Sequence, residues 1–218
     1  MDASKKSLMD GAWRRVYDNN SCKNLPIHSM SCWTEQGFNE LFKVTFSLIK
    51  NLKGVSSVLD VGCGPGVYCA EFHKQGFDVV GVDYAENVIK KASKDNPSVK
   101  FVVGDAYDLP FNDAEFDLVS CVGVLQCVYE PEKIVKELTR VSKKYVLVST
   151  LLRQKKLDDP LRFLHKKLET DDWPTKDYHP AELEVLFERE GFHVTTILKS
   201  NNSLITDGFF IIATKKLS

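Results

Sequence analysis

Val58-Leu59-Asp60-Val61-Gly62-Cys63-Gly64-Pro65-Gly66 is the stretch on which the fold turns. A short apolar run that breaks into glycines reads as a buried strand ending in a tight turn. The helical pattern from Val67 to Gln75 follows at once, so the glycines lead a backbone into a helix N-terminus. Four further apolar runs have the same character: Asp78 to Val82, Val99 to Val103, Phe116 to Val122 and Tyr145 to Ser149. Helical patterns at Ala85 to Lys94 and Pro131 to Val141 separate them. In the second, Pro131 suits a first helical position, and Ile134, Val135, Leu138 and Val141 share one face. Near-continuous apolar strands alternating with amphipathic helices predict a parallel sheet covered on both faces. The expected fold is doubly wound α/β.

Outside this block the rhythm changes. After Ser149, Asp159-Pro160 predicts a helix to about Leu168, and His179-Pro180 a second one through Leu183, Leu186 and Phe187, stopped by Gly191. Phe192 to Leu198 and Leu204 to Thr214 are strand-like and joined only by Ser200-Asn201-Asn202-Ser203. A connection that short forces an antiparallel pair, since a parallel crossover needs about a dozen residues or more. On the N-terminal side, Thr34 to Leu52 predicts an amphipathic helix with Phe38, Leu41, Phe42, Thr45, Leu48 and Ile49 inward. Residues 1–33 form a loosely patterned cap carrying Trp13, Tyr17 and Trp33.

Composition narrows the function classes. The chain has 218 residues, 43% hydrophobic and 27% charged, ordinary for one globular domain. Twenty-nine Lys and Arg against 30 Asp and Glu leave a net charge of -1, without the global basic footprint of a nucleic-acid binder. No apolar run is long enough to span a bilayer, and the start, Met1-Asp2-Ala3-Ser4-Lys5-Lys6, lacks the apolar core of a signal peptide. A cytoplasmic protein without membrane insertion is expected. The six cysteines include no C-x-x-C pair and suggest no disulfide framework. Cys22, His28 and Cys32 lack a fourth zinc ligand within reach, so they read as ordinary loop residues and no metal is expected.

The glycine loop does not satisfy the dinucleotide pattern G-x-G-x-x-G, because Val67 occupies the third glycine position. That weakens a nicotinamide-dependent oxidoreductase as a reading. Asp60 stands two residues before the glycines, where a carboxylate can accept from the loop and from a ligand. Asp60-Val61-Gly62-Cys63-Gly64-Pro65-Gly66 resembles the first motif of class I S-adenosylmethionine (SAM) dependent methyltransferases, in the small-molecule, ubiquinone-biosynthesis-like branch. Asp83 in Gly81-Val82-Asp83-Tyr84-Ala85 matches the acidic residue that the family places on the ribose hydroxyls. Gly104-Asp105-Ala106, with Leu109-Pro110-Phe111 and Phe116 to Val119, resembles the segment that meets the adenine amino group. Val124 to Val128 and Glu137-Leu138-Thr139-Arg140-Val141 resemble the segment and helix after the fourth strand. The match is close over roughly 55–150, and the C-terminal part, from His179-Pro180-Ala181-Glu182-Leu183 onward, matches by pattern.

The resemblance implies a Rossmann-like, mostly parallel seven-stranded sheet with a C-terminal antiparallel hairpin and an N-terminal helical cap. Its parts would be 1–53 (cap and first helix), 54–150 (cofactor-binding core), 151–180 (substrate-side insertion) and 181–218 (last helix and strands) in one domain. It implies SAM as cofactor and S-adenosylhomocysteine as product. The implied cofactor-binding residues are Tyr17, Asp60, Gly62, Cys63, Gly64, Gly66, Asp83, Tyr84, Asp105, Ala106 and Cys121. Helix capping or turn formation is the competing account of Asp83 and Asp105.

Two departures stand out. Ser142-Lys143-Lys144-Tyr145 replaces the Pro-Gly-Gly usual before the fifth strand, and Gln126 stands where many relatives carry His. After the fourth strand the chain reads Ser120-Cys121-Val122-Gly123, not the Asn/Asp-Pro-Pro-Tyr/Phe of amino-methylating nucleic-acid enzymes. A small-molecule acceptor is therefore expected. Trp33, Gln126, Trp173, Tyr178 and His179 are its candidate contacts, although the aromatics among them serve equally as loop anchors. Residues 1–33 and 151–180 are expected to roof the acceptor pocket. The stretch 151–168 sets six Lys and Arg against Asp158 and Asp159, suiting either an anionic substrate or a solvated helix face. A SAM-binding partner subunit without catalysis remains the alternative function. The sequence names neither acceptor nor oligomeric state.

Overall fold

The computed structural model describes residues 35–152, 177–199 and 208–216. Tyr17, Trp33, Trp173, the Cys22/His28/Cys32 group, the basic side chains Arg153 to Lys167 and the expected helix from Pro160 lie outside them. In chain order the elements are α1 (Glu35–Ile49), β1 (Ser57–Val61), α2 (Val67–Lys74), β2 (Asp78–Asp83), α3 (Glu86–Asp95), β3 (Lys100–Val103) and β4 (Phe116–Val122). A 3-10 turn (Leu125–Cys127) precedes α4 (Pro131–Val141) and β5 (Ser142–Leu152). A two-residue strand β6 (Asp177–Tyr178), then α5 (Pro180–Arg189), β7 (Phe192–Lys199) and β8 (Gly208–Lys215) complete the set.

The seven longer strands form one sheet in the order β3-β2-β1-β4-β5-β8-β7, with β6 paired beside β5. Strands β1 to β5 are parallel, whereas β8 runs antiparallel to both β5 and β7. Side chains alternate between two cores, as a two-residue period requires. Leu59, Val61, Val119 and Val148 meet Ile134 and Leu138 of α4 and Phe187 of α5 on one face. Val58, Leu118 and Leu147 meet Phe46, Phe72 and Ile89 of α1, α2 and α3 on the other. Each such fully buried side chain contributes roughly 1.5–3 kcal/mol.

Two local outcomes differ from the sequence pattern. Phe46 is a core residue of α1, packing its ring 4.9 Å from that of Phe72, although the helical spacing assigned the inward face without it. The missing Pro-Gly-Gly does not become another turn: α4 runs straight into β5, and the pairing with β4 shifts between Phe116 and Leu118. Lys144 from this junction reaches Asp117, 3.0 Å away. Burial alone would raise the Asp117 pKa. Hydrogen bonds from Ser56, Ser57 and Lys144 outweigh it and hold the carboxylate far below its ordinary range. Asp117 thereby ties the starts of β1, β4 and β5 together.

Candidate functional site

Strand order reverses between β1 and β4, because the chain winds outward through β2 and β3 and then returns to the other side of β1. In open α/β sheets the crevice beyond the carboxyl ends at such a point is where ligands bind. Here it receives the glycine loop after β1 and Gly123 after β4. The loop is folded back on β2: the N–H groups of Gly62 and Cys63 both donate to Val82 O, at 2.8 and 3.1 Å. Gly64 N donates to Asp83 Oδ2 at 3.0 Å.

Gly64 and Gly66 hold φ of +52° and +82°, the left-handed region that costs an L-residue about 1–2 kcal/mol. Their surroundings differ. A Cβ on Gly66 would lie 2.7 Å from Phe101 Cζ, so this glycine permits packing. A Cβ on Gly64 would meet nothing within 4 Å, although the residue is buried. It lines a small cleft at the carboxyl end of β1.

Phe38 and Leu41 of α1, Tyr68 of α2 and Val124 beyond β4 form apolar walls of this cleft, and Asp60 supplies its carboxylate. Sequence reading took Phe38 and Leu41 as core residues of an amphipathic helix and passed over Tyr68. Helical spacing identifies an inward face but not which turn of it borders a cavity. Tyr68 had one available signal, its place in the first turn after the glycines. Its ring packs 5.4 Å from Phe42 and 6.1 Å from Phe38, which fixes the wall.

Asp60 is 3% exposed, and its Oδ2 accepts from Cys69 Sγ at 3.4 Å. Burial pushes its pKa up to about 7, against the hydrogen bond of Cys69, and the neighbouring Asp83 charge adds to the rise. An unfolded aspartate titrates near 3.9, so between about pH 4 and 7 the folded chain holds the extra proton. Stability contributed by the protonated carboxyl is full below about pH 4 and is lost as pH rises to 7. Asp60→Asn is expected to remove up to about 1.4 kcal/mol per pH unit from the slope of unfolding free energy in that window. Urea unfolding of both proteins between pH 4.5 and 7.5 checks this, and parallel slopes would contradict it.

Asp83, at the end of β2, is buried. Its Oδ1 accepts from Ala85 N at 2.9 Å, while Oδ2 holds Gly64 N. Both carboxylate oxygens thus take part in organising the loop after β1 and the start of α3. Tyr84, half-buried, follows it directly. Asp105 lies just past β3, which pairs with β2 at Asp83 and Val103. Asp105 is exposed, accepts from Tyr107 N at 2.9 Å through Oδ1, and is followed by half-buried Ala106. Glycine loop, Asp83 and Asp105 thus stand at the same ends of three adjacent strands, β1, β2 and β3.

The remaining candidates have mixed surroundings. Cys121 is fully buried in the core beneath α4 and α5, away from the cleft lining. Cys63 lines the cleft. Gln126 is 5% exposed, and among the described residues its Oε1 has no hydrogen-bond partner. Tyr178 is buried and donates its hydroxyl to Leu125 O at 2.9 Å, anchoring β6 to the 3-10 turn. His179 caps α5, accepting from Ala181 N through Nδ1 while Glu182 accepts from His179 N. Among the described residues there is no group of three or more His, Cys, Asp or Glu that could hold a metal. Nor is any described helix long and apolar enough to cross a membrane.

Residues 59–148 match the family model for a methyltransferase domain. Demethylmenaquinone methyltransferase of Renibacterium salmoninarum is 38% identical over 86 residues, 39% of this chain and 36% of that protein. The chain therefore matches little more than a third of that relative's length. Ubiquinone biosynthesis O-methyltransferase of Hydrogenovibrio crunogenus is 29% identical over 180 residues, 73% of each chain. Magnesium protoporphyrin IX methyltransferase from Synechocystis, solved with bound S-adenosylhomocysteine, superimposes with a TM-score of 0.69 at 18% identity. That superposition covers 97% of this chain and 95% of that one, and it establishes the shared fold.

Proposed function

We propose that this chain, which carries a methyltransferase domain at residues 59–148, is a SAM-dependent methyltransferase with a small-molecule acceptor. The observation that carries the reading is the cleft at the β1/β4 reversal. A buried carboxylate and an uncovered glycine, Asp60 and Gly64, face it, and Asp83 and Asp105 stand beside it on consecutive strand ends.

The residues fit the cofactor's parts. Asp83 accepts from ribose hydroxyls at the end of β2, and Asp105 accepts from the adenine amino group. The first turn of α2 faces the methionine carboxylate, a dipole contribution of about 0.3–1 kcal/mol. Asp60 lies under the methionine end, where a cationic neighbour favours its ionised form. Cys63 and Ala106 contribute backbone, Tyr84 borders the ribose, and Tyr17 closes the methionine end.

SAM would supply a methyl already activated by its sulfonium, so little acid–base help is demanded of the protein, and the proton freed from a hydroxyl or amine acceptor passes to solvent. What the chain contributes is alignment, which can supply on the order of 7–11 kcal/mol of a barrier. Phe38, Leu41, Tyr68 and Val124 give the acceptor an apolar wall, consistent with the quinone-related names of the relatives. The buried amide of Gln126 offers Oε1 to a hydroxyl or amine on that acceptor. Leaving such a group unpaired costs about 1–3 kcal/mol, which a bound acceptor would recover.

Calorimetry with S-adenosylhomocysteine, SAM and NADH tests the cofactor. One site per chain for the first two and none for NADH is expected, and the reverse would overturn the reading. Incubating the protein with methyl-labelled SAM and a metabolite extract is expected to label a small molecule. Binding without any labelled product would instead favour the non-catalytic partner subunit.

A further inference from the structure

The segment from Gly104 to Glu115 joins β3 to β4 without a helix or strand of its own. Its internal backbone hydrogen bonds are sparse: Asp108 N to Asp105 O and Phe111 N to Leu109 O. An irregular connection of this kind takes its shape from whatever satisfies its remaining backbone groups. Two side chains of α4 do so. Glu137 Oε2 accepts from Leu109 N at 2.8 Å. Arg140 donates to Leu109 O at 3.0 Å and Phe111 O at 2.8 Å.

Arg140 has no donor to spare. Nε and Nη2 bind the two Glu137 oxygens at 2.8 and 2.7 Å, and Nη1 also binds Asp113 Oδ1 at 2.9 Å. Five N–H groups make five hydrogen bonds, all that a guanidinium has. A lysine, with three donors on a rotating ammonium, cannot reproduce the fork. The Arg140 hydrogen bond also holds Glu137 below its ordinary pKa, so the pair stays ionised at neutral pH.

The geometry points to Glu137 and Arg140 as positioning residues that hold Asp105 in place for the adenine base. This rests on the methyltransferase reading above. The clamp grips the segment at 109–113, while Asp105 itself is exposed and free of the clamp. The chain between them is held by Gly104 N on Asp83 O (3.0 Å), by Tyr107, whose hydroxyl accepts from Tyr129 N and Glu130 N at 3.1 and 3.3 Å, and by the α4 clamp. Loosening the far end should blur the placement of Asp105 and spare the ribose and methionine contacts.

The test compares S-adenosylhomocysteine with S-inosylhomocysteine, whose base has a carbonyl in place of the 6-amino group. Wild-type protein is expected to prefer the amino form by about tenfold or more, since Asp105 can only accept. Arg140→Lys is expected to bring the preference down to about twofold, chiefly by weakening the adenine ligand, and Glu137→Gln should follow in the same direction. General destabilisation would weaken both ligands equally, so a preserved preference in folded Arg140→Lys overturns the clamp. If Arg140→Lys does not fold, Glu137→Gln, which keeps shape and one acceptor, is decisive in the same way. Wild-type protein that binds S-adenosylhomocysteine without preference overturns the adenine placement, and failure to bind it overturns the methyltransferase reading itself.

Discussion

Gly64→Val is expected to abolish binding of S-adenosylhomocysteine, with a loss of about a hundredfold or more, while the sheet stays folded. The new side chain would project into the cleft, since among the described residues no atom lies within 4 Å of its Cβ. It would also strain a backbone held at φ +52°, at a cost of about 1–2 kcal/mol. Gly76 separates the two effects. It holds φ +90°, likewise has nothing within 4 Å of a Cβ, and sits at the far end of α2. Gly76→Ala should lower the melting temperature comparably and leave affinity unchanged. Undiminished affinity in Gly64→Val would remove the cofactor from the cleft.

Asp83→Ala carries the second large effect, a 10- to 100-fold loss of affinity, equivalent to one charge-assisted hydrogen bond at roughly 1.5–3 kcal/mol. Stability should also fall, by about 1–3 kcal/mol, because Gly64 N and Ala85 N lose their buried acceptor. Loop organisation and ribose recognition are thus joined in one carboxylate, and the ligand can separate them. Removing a ribose hydroxyl from S-adenosylhomocysteine should weaken binding to wild-type protein and have little further effect on Asp83→Ala. Equal losses in both proteins would make Asp83 a loop organiser only. Melting temperature and calorimetric affinity, measured on the same samples, give both answers.

Strands β1 to β5, the helices α2 to α5 and the C-terminal antiparallel pair were all legible as sequence, because their signals are local. Glycines mark where a strand must turn into a helix, Pro131 and Pro180 mark helix starts, and a short link after Lys199 leaves no room for a crossover. The same locality made Gly62, Gly64, Asp83 and Asp105 identifiable as candidates, each at a strand end next to a turn. Other properties were set by partners far along the chain. Asp60 was visible as a carboxylate before a glycine loop, but its pKa of about 7 comes from desolvation by both flanking layers of the sheet. Tyr178 read equally as a pocket wall or a loop anchor, and only folding brought its hydroxyl to Leu125 O, 53 residues away. Arg140 belonged to a helix motif, and only folding brought Leu109 and Phe111, 31 and 29 residues earlier, to its guanidinium. Periodicity and turn chemistry reside in neighbouring residues and can be read from the sequence by itself. Desolvation and side-chain hydrogen bonds depend on what the fold carries in from a distance, so the titration of Asp60 and the shape of the β3–β4 connection were decided by the tertiary structure.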